Sequence, residues 1–398
     1  MRVLHVYKDY PPVPGGIENH VRTLAVSQAR RGHEVTVVAA APGGRTAVEE
    51  RDGVRVVLAG RWATIASTPI SPAMASCLGR LRPDIAHLHV PYPFGEAVYQ
   101  LFCRAAGTVV TYHSDVVRQR WLRVAFTPML RRLLGRADRI IVTSAAYAGS
   151  SLHVRPFREK CRIVPIGVDL ERFRPRGGSE ISALRRALGL PVGRLVALFV
   201  GRLRYYKGLT DLIRAMPAAT GPHLAIVGDG PRRAECRHVI GELGLAERVT
   251  MAGHVVDDDV PRWYRAADLF ILPSNARAEA FGTVIVEAMA SGLPVISTEI
   301  GTATSWVNVH GETGLVVPPG DSAALAAAIN LLASKTPLRE AYGRNARRRA
   351  EDFFGADAMI AAVESVYEEV LQSATRRRAA LQGRGDRRGL KPPARQRG

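Results

Sequence analysis

At 398 residues the chain is longer than the roughly 250–300 at which a single core stops growing, so two domains are expected. A hydrophobic share of 47% with 23% charged residues describes a folded globular protein, and no apolar stretch approaches the roughly 20 residues of a membrane-spanning helix. The formal net charge of +19 leaves nucleic acid, an anionic membrane surface and anionic substrates open as partners.

In the first half, short apolar runs at 2–7, 34–39, 85–89, 108–113 and 139–144 alternate with segments that read as helices, the pattern of a parallel sheet with crossovers. The opening MRVLHVYKDYPP reads as strand and loop, without the apolar length or cleavage site of a signal peptide, so a cytoplasmic protein is expected. Pro14-Gly15-Gly16-Ile17-Glu18 follows the first strand and precedes a helix over 19–30. Paired glycines there let backbone N–H groups face a phosphate, although a Gly-Gly after a strand is also an ordinary turn. His113-Ser114-Asp115 ends another strand, where ligands of parallel sheets bind. His113 can donate a hydrogen bond to a sugar hydroxyl or a leaving phosphate, while Asp115 either orients an acceptor or caps the next helix. Residues 117–139 interleave seven arginines with Trp121, Leu122, Phe126 and further apolar residues, the composition of an interfacial surface helix interrupted near Pro128. An amphipathic helix with a solvated basic face has the same composition. Cys77, Cys103, Cys161 and Cys236 form no C-x-x-C pair and support neither zinc nor disulfides.

A turn-rich passage at 165–179 precedes a second alternation, with strands expected at 195–200, 223–228, 249–252, 269–272 and 294–297. The first of these runs into Gly201-Arg202-Leu203-Arg204-Tyr205-Tyr206-Lys207-Gly208, which sets two cations, Arg202 and Lys207, where a diphosphate would lie. Val227-Gly228-Asp229-Gly230-Pro231 and Gly253-His254-Val255 are tight turns after the next two strands. The densest signal is 272–298, where Glu279 stands just before Ala280, Phe281 and Gly282, a helix opens at Thr283, and Glu287 follows Glu279 at a spacing of eight. The free N–H groups and positive dipole end of that helix favour an anion, and Gly282 allows its close approach. A carboxylate beside such an anion accepts hydrogen bonds from hydroxyls on the attached groups. Asp257-Asp258-Asp259 precedes a helix and reads as an N-cap; no D-x-D metal motif stands at a strand end.

Taken together, G-G-I-E, H-S-D, P-I-G-V-D at 165–169, G-R-x4-K-G, V-G-D-G-P and E-x7-E resemble the retaining GT-B glycosyltransferases of family 4, over nearly the whole chain to about residue 372. The likeness is to the mannosyl- and rhamnosyltransferase branch; Ile166 departs from it, because many relatives carry asparagine there. The resemblance implies an α/β GT-B fold, with two doubly wound Rossmann-like domains facing across a cleft. Residues 1–175 would bind the acceptor and 190–355 the nucleotide sugar. A helix over 356–372 would cross back onto the first domain, and 373–398 would form a disordered basic tail. It implies that Glu279 holds donor-sugar hydroxyls, Glu287 the ribose, and Arg202 with Lys207 the diphosphate. His113 would contact the donor sugar. Gly15, Gly16, Gly201, Gly228, His254, Val255, Ala280, Phe281, Gly282 and Thr283 would line the donor, and Asp115 the acceptor.

A metal-independent retaining hexosyltransferase is therefore expected, without a cofactor, the donor being GDP-mannose or, alternatively, a UDP-sugar. Its acceptor would be a saccharide or polyprenyl-linked saccharide of cell-surface polysaccharide or glycolipid assembly. A sugar-nucleotide epimerase or a phosphorylase-like enzyme shares the fold, and a basic membrane- or nucleic-acid-binding module is the non-enzyme alternative. The tail carries nine Lys or Arg and one acid. Peripheral attachment to the inner face of the plasma membrane through 117–139 and the tail is expected, and binding to nucleic acid is not.

Overall fold

The computed structural model describes residues 1–13, 15–115, 120–175 and 178–388, without the side chains of 120–125, 178–179 and 378–388. Among the described residues the first half holds ten strands: β1 Arg2–Val6, β2 Glu34–Ala40, β3 Ala47–Arg51, β4 Val54–Ala59, β5 Ala63–Ile65, β6 Thr68–Ile70, β7 Ile85–Val90, β8 Gly107–Tyr112, β9 Arg139–Val142 and β10 Cys161–Ile163. Eight form one sheet in the order β10-β9-β8-β7-β1-β2-β4-β3, parallel except for β3, while β5 and β6 make a separate hairpin. A second, all-parallel sheet, β13-β12-β11-β14-β15-β16, is built from β11 Val196–Val200, β12 His223–Val227, β13 Val249–Gly253, β14 Leu269–Leu272, β15 Val295–Thr298 and β16 Gly314–Val317. Its central strands VALFV, HLAIV and LFIL are buried at every position because helices cover both faces, which leaves continuous apolar runs in place of alternation.

The expected strands are present within a few residues. Reading by apolar runs alone missed β3 and β4, although Asp52-Gly53 between them is a hairpin turn with positive φ at both residues. It also missed the hairpin, β10 and β16.

The two halves meet where the chain crosses twice. Val168 pairs with Gly355, and a Cβ on Gly167 would lie 2.5 Å from the Gly355 carbonyl oxygen, so only glycine permits this approach. Ile166 is buried in this junction, and Asp169 Oδ1 accepts from the N–H groups of Glu171 and Arg172.

From here the helix Ala356–Arg388 returns to the first sheet. Arg139 and Arg162 clamp Glu369 and hold its carboxyl far below the usual range, at about 2, while Arg31 binds Glu364 at 2.7 Å. The expected end at 372 is corrected: Ala, Leu, Arg and Gln after Ser373 are good helix formers, and the helix runs on to Arg388. Residues 389–398 of the expected tail lie outside the described residues.

The basic segment is also revised. Arg120–Arg136 is one helix through Pro128, and Leu130, Leu133 and Leu134 are buried in the core of the first domain. Arg131, Arg132 and Arg136 face solvent, but Arg139 belongs to the Glu369 clamp. Much of the apolar stripe is thus taken by the protein's own core. Residues 117–119 lie outside the described residues. No helix among the described residues is long and apolar enough to cross a membrane.

Candidate active site

The sequence-predicted residues of the second domain converge at the carboxyl ends of its strands. Gly201, Gly228 and Gly253 close β11, β12 and β13 in a row; the Gly228 N–H donates to Gly253 O at 2.8 Å and the Gly201 N–H to Val227 O at 2.9 Å. Gly228 has φ 132°, and a Cβ there would lie 2.1 Å from the Gly201 carbonyl oxygen. This row is therefore open only to glycine, and it leaves a shelf of bare backbone. His254 lies exposed beyond it and Val255 is half-buried.

Gly208 brings the next loop in. With φ 63° and a would-be Cβ 1.9 Å from the Pro273 carbonyl oxygen, it presses the loop against the end of β14. Asn275 N–H then donates to Tyr206 O at 2.9 Å, and Lys207 Nζ reaches Glu279 Oε2 at 2.5 Å. Both side chains of this pair are about 10% exposed. Burial alone would lower the Lys207 ammonium, but Glu279, with Tyr206, more than reverses this and raises it, so Lys207 stays charged. Ser274 Oγ donates to Glu279 at 3.3 Å, and Thr302 Oγ1 donates to the Glu279 carbonyl at 2.8 Å, fixing the loop.

Glu279 is followed by buried Ala280 and Phe281 and by Gly282, which caps the helix Thr283–Ala290 at φ 80°. In its first turn the Ile285 N–H donates to Gly282 O at 2.7 Å, and the N–H groups of Thr283 and Val284 have no helical carbonyl behind them, the arrangement that favours an anion. Glu287 sits one turn on, accepting from Tyr264 OH at 2.7 Å, and burial raises its carboxyl above the usual range. Arg202, the second expected cation, is exposed rather than paired within this cluster.

The first domain supplies the opposite wall. Gly15 precedes the helix Gly16–Arg30, and a Cβ on it would fall 2.0 Å from the Glu18 carboxylate. Burial raises Glu18, with Lys8 and Arg202 pulling the other way, so the glycine loop lies within electrostatic reach of the second domain's Arg202. Asn19 reaches Asp257 at 3.4 Å and Arg277 reaches Ser150 Oγ at 2.9 Å, both across the cleft. Asp257 also binds Arg172 at 2.7 Å, which corrects its reading as an N-cap: no side-chain cap bond forms at the helix Val260–Ala266. Asp115 Oδ1 accepts from Tyr112 OH at 3.0 Å and from Ser151 Oγ at 2.7 Å, while residues 116–119, where the helix it was expected to cap would begin, lie outside the described residues.

His113 follows β8 at 4% exposure, and it is not alone. His5, His20, His87 and His89 are buried with it, an assembly that sequence reading missed. The signal was present: His87 and His89 are two apart on one strand, and His5 pairs with His87 across the sheet, so all three share one face. Two triads, His5–His87–His89 and His20–His89–His113, bring one ligand atom from each ring within 4.8 Å of the others, close enough to bear on the expectation of no metal site. Both ring nitrogens of His89 are already hydrogen-bonded, however, to His5 and to His113 at 3.0 Å each.

Residues 14–172 match the profile of Glycosyltransferase Family 4, and 180–349 that of Glycosyl transferases group 1. The chain is 37% identical to the O-antigen chain mannosyltransferase C of Escherichia coli, over 94% of its own length and 100% of the relative's. It is 36% identical to the D-rhamnosyltransferase WbpZ of Pseudomonas aeruginosa, over 89% of this chain and 93% of that one. Among solved structures, the sucrose-phosphate synthase of Thermosynechococcus elongatus superposes with a TM-score of 0.80 at 25% identity, over 94% of this chain and 99% of that one. The glycosyltransferase WaaG superposes at 0.68 with 18% identity, over 92% and 99%, a likeness of fold alone. The chain belongs to glycosyltransferase family 4, in its mannosyl- and rhamnosyltransferase-like branch, and is a glycosyltransferase of GT-B fold.

Proposed function

We propose that this glycosyltransferase moves a hexose, mannose from GDP-mannose, to a saccharide or lipid-linked saccharide with retention of configuration and without a metal ion. The observation that carries this reading is the buried Lys207–Glu279 pair beside the open helix end at Gly282–Thr283. It supplies a fixed cation and free N–H groups for a diphosphate, with a carboxylate at hand for hydroxyls. The choice of mannose leans on the Escherichia coli relative, named a mannosyltransferase, and the lipid-linked acceptor on a phosphatidyl-myo-inositol mannosyltransferase of Mycobacterium leprae that is 30% identical over 92% of this chain.

In this reading Lys207, Arg202, the helix end and the Gly15–Gly16 backbone hold the diphosphate, while Glu279 orients the sugar and Glu287 the ribose. The bond from the anomeric carbon to the leaving phosphate oxygen breaks as the acceptor hydroxyl oxygen bonds to that carbon on the same face. The acceptor's proton passes to the departing diphosphate, so no separate base is required. Positioning and electrostatics carry the rate. The products are a glycoside with the donor's anomeric configuration and a nucleoside diphosphate. Turnover of GDP-mannose with lipid-linked saccharide acceptors is expected to persist in excess EDTA, and NMR of the product to show the donor's anomeric configuration. Inversion, or loss of turnover in EDTA, would contradict the mechanism.

Docking of this enzyme at an anionic leaflet rests on Arg131, Arg132 and Arg136. The helix Pro93–Phe102 packs against both this basic helix and the hairpin, and carries exposed Leu101 and Phe102. Trp62 beside the hairpin is 85% exposed. The protein is expected to co-sediment with vesicles containing anionic lipid at low salt and to leave them at high salt. Equal binding to neutral and anionic vesicles would remove this part of the reading.

A further inference from the structure

The buried imidazoles form a continuous chain that ends at His113, beyond the carboxyl end of β8. Gln28 Oε1 lies 2.8 Å from His5 Nε2, His5 Nδ1 lies 3.0 Å from His89 Nε2, and His89 Nδ1 lies 3.0 Å from His113 Nε2. The last atom, His113 Nδ1, is buried and has no hydrogen-bond partner among the described residues. Burial pushes these rings down, His5 to about 4 and His89 and His113 well below their usual range, so each is neutral and carries one N–H. A hydrogen bond between two neutral imidazoles needs one donor and one acceptor, and a ring that accepts at one nitrogen must donate at the other. The tautomers are therefore locked to one another, and whatever fixes the first fixes the last.

Gln28 is the fixed end. It is fully buried, with its carbonyl toward His5 and its amide nitrogen donating to Tyr367 OH at 3.4 Å. Tyr367 OH lies 2.6 Å from His87 Nδ1, and His87 Nε2 lies 2.6 Å from Thr111 Oγ1. With the amide oriented so that Oε1 faces His5, each bond in both branches has one donor and one acceptor. His5, His89 and His113 each carry the proton on Nε2, which leaves His113 Nδ1 a bare lone pair.

We propose that Gln28, held by Tyr367 of the returning helix, is a positioning residue that sets His113 as a hydrogen-bond acceptor at the cleft, by a tautomer chain through His5 and His89. Resting on the donor-site reading above, the lone pair accepts from a hydroxyl of the bound sugar; this reverses the donor role expected for His113 from sequence. It also ties the helix Ala356–Arg388 to the site through Tyr367. The His20 ring packs edge-on against His89 and His113, at 5.7 and 5.1 Å between centroids, and its nitrogens take no hydrogen-bond partner among the described residues.

The test is a two-bond proton–nitrogen correlation spectrum of the full chain labelled with 15N-histidine, without ligand. This readout is independent of which donor the enzyme uses. Protons on Nε2 of His5, His89 and His113 are expected. In Gln28→Leu the His113 signals should redistribute between tautomers and kcat/KM should fall about tenfold or more. Tyr367→Phe, which keeps the ring packing, should give a smaller redistribution if the leucine variant does not fold. A proton on His113 Nδ1 in the unaltered protein, or an unchanged His113 tautomer in folded Gln28→Leu, would overturn the proposal. So would stoichiometric zinc in the purified protein, because a metal would occupy these same nitrogens.

Discussion

Lys207→Ala is expected to lower kcat by about 100- to 1,000-fold, the usual effect of removing one preorganised charge-stabilising group, and also to destabilise the fold. Glu279 is buried beside Lys207, and without the ammonium its carboxylate is left charged and uncompensated, at a cost of about 3–5 kcal/mol. Glu279→Ala should destabilise comparably for the mirrored reason. The double variant Lys207→Met with Glu279→Leu removes both charges, and should regain most of the lost stability without regaining activity. Urea unfolding paired with initial-rate kinetics separates the two effects. If the double variant is as unstable as either single variant, the pair is not coupled as its 2.5 Å separation requires.

The second large effect is acid lability. His5, His20, His87, His89 and His113 are all held neutral by burial, His20 as low as about 3. In the unfolded chain each takes up a proton near its ordinary value of about 6.5, while the folded protein does not. Their folded values being depressed, folding stability falls as pH drops below about 6.5 and keeps falling toward the folded values. Each contributes up to about 1.4 kcal/mol between pH 7.5 and 5.5. Glu96 acts in the opposite direction. Burial raises it to about 8, so it is protonated in the fold, and it restores about 2 kcal/mol over the same interval. A net loss on the order of 4 kcal/mol is comparable with the whole stability of a typical domain. The urea midpoint should therefore fall markedly from pH 7.5 to pH 5.5. An unchanged midpoint would mean that the histidines exchange protons freely in the folded state, and the tautomer chain would lose its basis.

Which parts of this molecule were legible in its sequence follows from the range of the forces involved. Strands such as Val196–Val200 and the helix Thr283–Ala290 declare themselves locally, through apolar runs and their terminating glycines. So does the glycine row, because Gly201, Gly228 and Gly253 each end a strand. The partner of Glu279 is a different matter: Lys207 lies 72 residues earlier, and the sequence assigns both to one ligand without revealing that they bind each other. Tyr264 on Glu287 is of the same kind. The histidine assembly lies between, since a period of two on β7 places His87 and His89 on one face, but His113, His20 and Gln28 join them only through the order of the sheet and the packing of a helix over it. The return of the last helix was expected, and its extension to Arg388 was hidden because a basic composition was read as disorder although its residues favour helix.

Calorimetric titration of the purified chain with GDP-mannose, alongside UDP-glucose and repeated with Glu279→Ala, tests most directly whether the cleft is a nucleotide-sugar site. One GDP-mannose per chain is expected, with weaker or no binding of UDP-glucose and at least tenfold weaker GDP-mannose binding to a folded Glu279→Ala variant. Failure to bind either nucleotide sugar, or equal affinity with and without the Glu279 carboxylate, would contradict the account.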